Sequence, residues 1–74
     1  MTKEQALYLI STSYDKAVAK HAPMHSPHEG HSVIEEEFDE LWEHVKGDTG
    51  TTAEAAKEAS HLGAMALRYL VDLC

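Results

Sequence analysis

Apolar residues recur at steps of three and four along most of the chain, and this pattern predicts three helices. In the first, from about Lys3 to Lys20, the stripe is Leu7, Ile10, Tyr14, Ala17 and Val18. In the second, from about Pro27 to Lys46, it is Ile34, Phe38, Leu41, Trp42 and Val45. The third, from about Thr52 to Leu73, uses Ala55, Ala59, Leu62, Ala66, Leu67 and Leu70. No segment alternates with the two-residue period of a strand. Each helix opens on a hydroxyl followed three residues later by Glu or Gln, the sequence form of a capping box: Thr2 with Gln5, Ser26 with Glu29, Thr51 with Glu54. Pro27 suits a first helical position, and Pro23 bars continuation of the first helix. Gly47-Asp48-Thr49-Gly50 reads as a turn, with Gly47 the helix stop.

These elements define a single all-α domain over residues 1–74. Short connections are expected to make successive helices antiparallel neighbours. Three helices of unequal apolar width leave surface uncovered, and the many alanines of the third permit close approach. The expected architecture is therefore three antiparallel helices completed into a four-helix or larger bundle by dimerisation, as a homodimer or homotetramer. Self-association is also a natural remedy for so small a core. A disulfide is not, because Cys74 is the only cysteine.

Charge narrows the partners. A formal net charge of −7 argues against nucleic acid and against anionic membrane surfaces, both of which are met by Lys and Arg. No stretch has the apolar length of a membrane span, and residues 1–4 lack an apolar signal core. The expected location is cytoplasmic.

The second helix is crowded with acids. It carries Glu29, Glu35, Glu36, Glu37, Asp39, Glu40 and Glu43, and like charges at i,i+4 repel. At about 100° per residue, Glu37 falls on the border of the apolar face, with Glu36 and Glu40 continuing around that side. Glu35 and Asp39 fall towards the opposite border. On the third helix Glu58 sits at the edge of the Leu62/Ala66 face, with His61 one turn on. Antiparallel packing would bring Glu58 close to Glu37 and Glu40. Glu-x-x-Glu facing Glu-x-x-His is how bundles build metal sites, and hard oxygen donors suit Mg²⁺ or Mn²⁺. A solvated acidic face is the plain alternative. His21, His25, His28 and His31 form a second candidate group, for Zn²⁺ or Ni²⁺, or simply a polar connector.

The acidic motif carries a resemblance. Glu36-Glu37-Phe38-Asp39-Glu40 matches the Glu-Glu-x-x-Glu signature of the MazG-like all-α nucleoside triphosphate pyrophosphohydrolases. That family carries Glu-x-x-Asp on a following helix, and Glu58-Ala59-Ser60-His61 falls at a suitable gap. Ser26 to Gly30, Asp39 to Trp42 and Ala64 to Arg68 are similar to segments of its short phage and bacterial members. The resemblance extends from Lys20 to Cys74. One position departs: His61 stands where the family has aspartate, and histidine favours Mn²⁺ over Mg²⁺.

The resemblance implies hydrolysis of a (deoxy)nucleoside triphosphate to the monophosphate and pyrophosphate. It implies Mg²⁺ (or Mn²⁺) held by Glu37, Glu40, Glu58 and His61, with Glu36 activating water. Lys20, Lys46 and Arg68 are candidates for phosphate contacts, and Trp42 or the connector's His28 for stacking on the base. The departure at His61 also motivates the alternative: a non-catalytic helical nucleotide-binding or adaptor protein.

Overall fold

A computed structural model describes the whole chain, Met1–Cys74. It contains three helices and no strands: α1, Lys3–Lys20; α2, Pro27–Lys46; and α3, Ala53–Leu73. No helix is long and apolar enough to cross a membrane.

Capping chemistry sets the helix starts. Thr2 accepts from the Gln5 N–H while Gln5 Oε1 accepts from the Thr2 N–H, a complete capping box. Ser26 accepts from the Glu29 N–H, but the Glu29 carboxylate turns to His25 Nδ1, at 3.2 Å, so only half of that box forms. At α3 the cap is Thr52, not Thr51: its hydroxyl accepts from the Ala55 N–H and donates to the Thr49 carbonyl. The turn before it lies where expected, with Gly47 the stop of α2. Gly47 caps α2 at an ordinary φ of −85°, and the left-handed residue is Asp48, φ 59°. Aspartate is one of the few side chains that adopt this conformation at modest cost.

α3 is the central element. α1 and α2 each pack on it and do not pack on each other, so the first two helices are not the antiparallel neighbours expected. α2 and α3 are antiparallel: Gly30 meets Tyr69 and Leu73, while Glu37 lies across from His61 and Glu58. Small residues make the approaches. A methyl group built on Gly30 would lie 2.7 Å from Tyr69 Cδ2, and one on Gly63 would lie 3.0 Å from Ile10 Cδ1. Ala55 and Ala64 are fully enclosed, and the Ser13 and Ser60 hydroxyls meet at 3.1 Å between α1 and α3.

The connector from His21 to Ser26 is clamped to α3. Arg68 Nη2 donates to the Ala22 carbonyl at 2.8 Å, and the Met24 N–H donates to Asp72 Oδ2 at 2.9 Å. Met24 is thereby buried against the bundle. This arrangement employs Arg68 as an internal clamp, its side chain 5% exposed and 3.9 Å from Asp72.

The predicted stripes are only partly covered, and that of α3 is misplaced: the residues this helix buries are Ala55, Ser60, Ala64, Met65 and Arg68. Ile10, Tyr14, Ala17, Ile34, Leu41, Leu62 and Leu67 are half-buried. Leu7, Val18, Phe38, Trp42, Val45 and Leu70 are exposed, as are Ala59 and Ala66. The reason is geometric. Each outer helix meets only α3, so it covers the edge of its stripe and leaves the rest open.

Candidate metal centre and cleft

The antiparallel α2/α3 pair brings four side chains to one point. Glu37, Glu40, Glu58 and His61 each offer a ligand atom, and these atoms all lie within 4.8 Å of one another. The i,i+3 spacing on each helix points Glu37 and Glu40, and Glu58 and His61, to one side, and the pairing of the two helices makes those sides face. Glu37, Glu58 and His61 are half-buried, whereas Glu40 is exposed.

The electrostatics of this cluster are strained. Oε2 of Glu37 and Oε2 of Glu58 are shut away from solvent with no hydrogen-bond partner. His61 Nδ1 lies 3.7 Å and 3.6 Å from those two oxygens, too far for a good hydrogen bond. Orphaned buried carboxylate oxygens carry a desolvation cost. Burial is accordingly the first cause that pushes Glu37 up to about 7 from 4.5; Glu40 adds its charge and a side-chain hydrogen bond, and the charges of Glu58 and Glu36 follow. Three carboxylates and one imidazole fit a divalent cation of the Mn²⁺ type, which accepts both donor kinds. The two orphaned oxygens are the groups such an ion would satisfy.

This cluster borders a cleft of about 1180 Å³ that α1, α2, α3 and the connector line together. Glu36, Glu37 and His61 reach it, so the cluster opens onto a space large enough for a small-molecule ligand.

The remaining sequence candidates separate. Lys20 lines the cleft, and Arg68 does so from its buried clamp. Lys46 does not: it pairs with Glu43 at 3.0 Å and lies 6.0 Å from the Trp42 ring centre, at the far end of α2. His28 and Trp42 are exposed outside the cleft, so neither is placed to stack on a ligand there. Of the four connector histidines only His21 reaches the cleft, and the four form no cluster with one another. Lys16 and Lys57 line the cleft and were not singled out from the sequence. The i,i+4 spacing of Lys16 with Lys20 was the available signal. For Lys57 there was only its place beside Glu58.

Comparison with known proteins gives no match among family models, curated proteins or solved structures.

Proposed function

We propose that the protein hydrolyses a (deoxy)nucleoside triphosphate to the monophosphate and pyrophosphate, with Mg²⁺ or Mn²⁺ as cofactor. The observation that carries this reading is the convergence of Glu37, Glu40, Glu58 and His61 within 4.8 Å at the edge of a cleft. These four would hold the ion. When bound, it supplies charge neutralisation for the polyphosphate and makes the phosphorus more electrophilic.

The chain's own residues do the rest. Glu36 lines the cleft next to Glu37 in the chain and lies outside the ligand set, free to orient a water and accept its proton. Water oxygen adds at the α-phosphorus, the bond to the bridging oxygen of the β-phosphate breaks, and pyrophosphate leaves with that electron pair. The clamp through Arg68 and Asp72 holds the connector as one wall of the cleft.

Incubation with a panel of nucleoside and deoxynucleoside triphosphates, with Mg²⁺ and separately with Mn²⁺, tests the proposal. Pyrophosphate release that is lost in Glu36→Gln and in Glu58→Gln is expected. Folded protein that releases none across the panel would overturn it. A second reading has its own observation: His61 lies between Glu37 and Glu58, where an imidazolium would balance both carboxylates and leave no metal site. It describes a helical nucleotide-binding or adaptor protein, and it predicts nucleotide binding that needs no divalent ion and gives no turnover.

The proposal includes self-association, as a homodimer or larger bundle, in the cytoplasm. Support comes from the exposed apolar side chains of α2, with Phe38, Trp42 and Val45 59%, 51% and 48% exposed along one face.

A further inference from the structure

The chain has six basic side chains against thirteen acidic ones. Their distribution is far from even. Lys16, Lys20, Lys57 and Arg68 all line the cleft, where only three carboxylates join them, Glu29, Glu36 and Glu37. A chain of formal charge −7 thus has one cavity in which fixed positive charges equal or exceed the negative ones.

The three lysines also lack ion-pair partners. Lys46 is the only lysine within 4 Å of a carboxylate; the other ion pairs are formed by His25, His61 and Arg68. With acids so abundant, leaving Lys16, Lys20 and Lys57 unpaired forgoes an attraction the surface could easily supply. Lys16 and Lys20 also stand one turn apart on α1, a spacing at which like charges repel. The negative end of the α1 dipole accounts for a cation at Lys20, but the effect falls off within the last turn. It does not account for Lys16, nor for Lys57 in the second turn of α3.

We infer that Lys16, Lys20 and Lys57 form a cationic wall that binds the polyphosphate chain of the ligand in the cleft. This deepens the proposed hydrolase reading and rests on it for the identity of the ligand as a nucleoside triphosphate. The wall engages the phosphates from α1 and α3, while the acidic cluster meets the same anion through its divalent ion from α2 and α3. Selection of triphosphates over monophosphates follows, because each added phosphate meets another fixed cation. The wall also lets an acidic protein take up a polyanion, by concentrating positive potential where the anion enters.

Calorimetric titration with inorganic tripolyphosphate, in EDTA so that no divalent ion contributes, tests the wall alone. Binding by the wild-type protein is expected. It should weaken about tenfold or more in Lys16→Gln/Lys20→Gln and again in Lys57→Gln, as loss of charge-assisted hydrogen bonds implies. Lys16→Arg/Lys20→Arg should retain it, and Lys3→Gln, outside the cleft, should not change it. Circular dichroism confirms that each variant is folded, which exposed lysines make straightforward. No wild-type binding, or equal binding by the glutamine variants, or an equal loss in Lys3→Gln, overturns the inference. The two readings fail separately. Turnover with KM unchanged in the lysine variants removes the wall and leaves the hydrolase. Tripolyphosphate bound through the lysines, without turnover of any nucleotide, removes the hydrolase and leaves the wall.

Discussion

Glu37 is the residue in which packing and chemistry conflict most. Its pKa rises to about 7 from 4.5 because burial and three neighbouring carboxylates disfavour the charge. The folded chain therefore holds a proton on Glu37 over a pH window in which the unfolded chain has released it. The stability this provides is complete below about 4.5 and is lost as pH rises through about 7. In metal-free protein the denaturant midpoint should fall across that window, and Glu37→Gln should flatten the fall. An unchanged slope in the variant would show that the carboxyl titrates elsewhere. Mn²⁺ should compete with the same proton, so its affinity should rise with pH over the same range.

At the scale of the element, α3 holds the molecule together through small residues and one buried cation. Gly30 packs so close to the Tyr69 ring and to Leu73 that Gly30→Ala must move them. A loss of about 1–3 kcal/mol is expected, as for other overpacked contacts, and is measurable by urea unfolding. Arg68 works through the connector. Arg68→Met keeps much of the volume but leaves the Ala22 carbonyl without its donor and Asp72 without its counter-charge. A cost of about 1–3 kcal/mol follows from a carbonyl that has lost a charge-assisted donor beside an unbalanced carboxylate. Hydrogen exchange at Met24 should then accelerate, because its N–H is held by Asp72. Helix periodicity alone gave no indication that an arginine would sit inside, since arginine is rarely buried without partners. Met65 and Asp72 flank it on the same helix, but its backbone partner, the Ala22 carbonyl, is distant in sequence.

On the scale of the whole molecule the chain is under-covered. It exposes 5243 Å², whereas a compact monomer of 8.2 kDa exposes about 4,500 Å². The excess, roughly 700 Å², approaches the ~800 Å² that each partner contributes to a standard interface. Only seven residues are buried, and none of the large side chains is fully enclosed. Sedimentation should therefore show a multiple of the chain mass, with Trp42 emission shifted to the blue as it leaves water. Phe38→Ser with Trp42→Ser should return the protein to a less stable monomer. A wild-type chain that sediments as a monomer and unfolds cooperatively would argue instead that α3 alone suffices.

Much of this was readable along the chain, for a reason that is local. Helix existence and ends follow from side chains within four residues of one another, so the three helices lie within a residue of their expected bounds. The grouping of Glu37 and Glu40 with Glu58 and His61 was also legible, because i,i+3 spacing selects one face and antiparallel pairing needs only a short turn. What the tertiary structure alone decided depends on which helix faces which. α1 and α2 both choose α3, and that choice opens a cleft between them, exposes Phe38 and Trp42, buries Arg68, and gathers Lys16, Lys20 and Lys57 around one cavity. Apolar periodicity states that a face is to be covered. Close approach at small residues, Gly30 to Tyr69 and Leu73 and Gly63 to Ile10, is set by shape across the interface and determines what covers it.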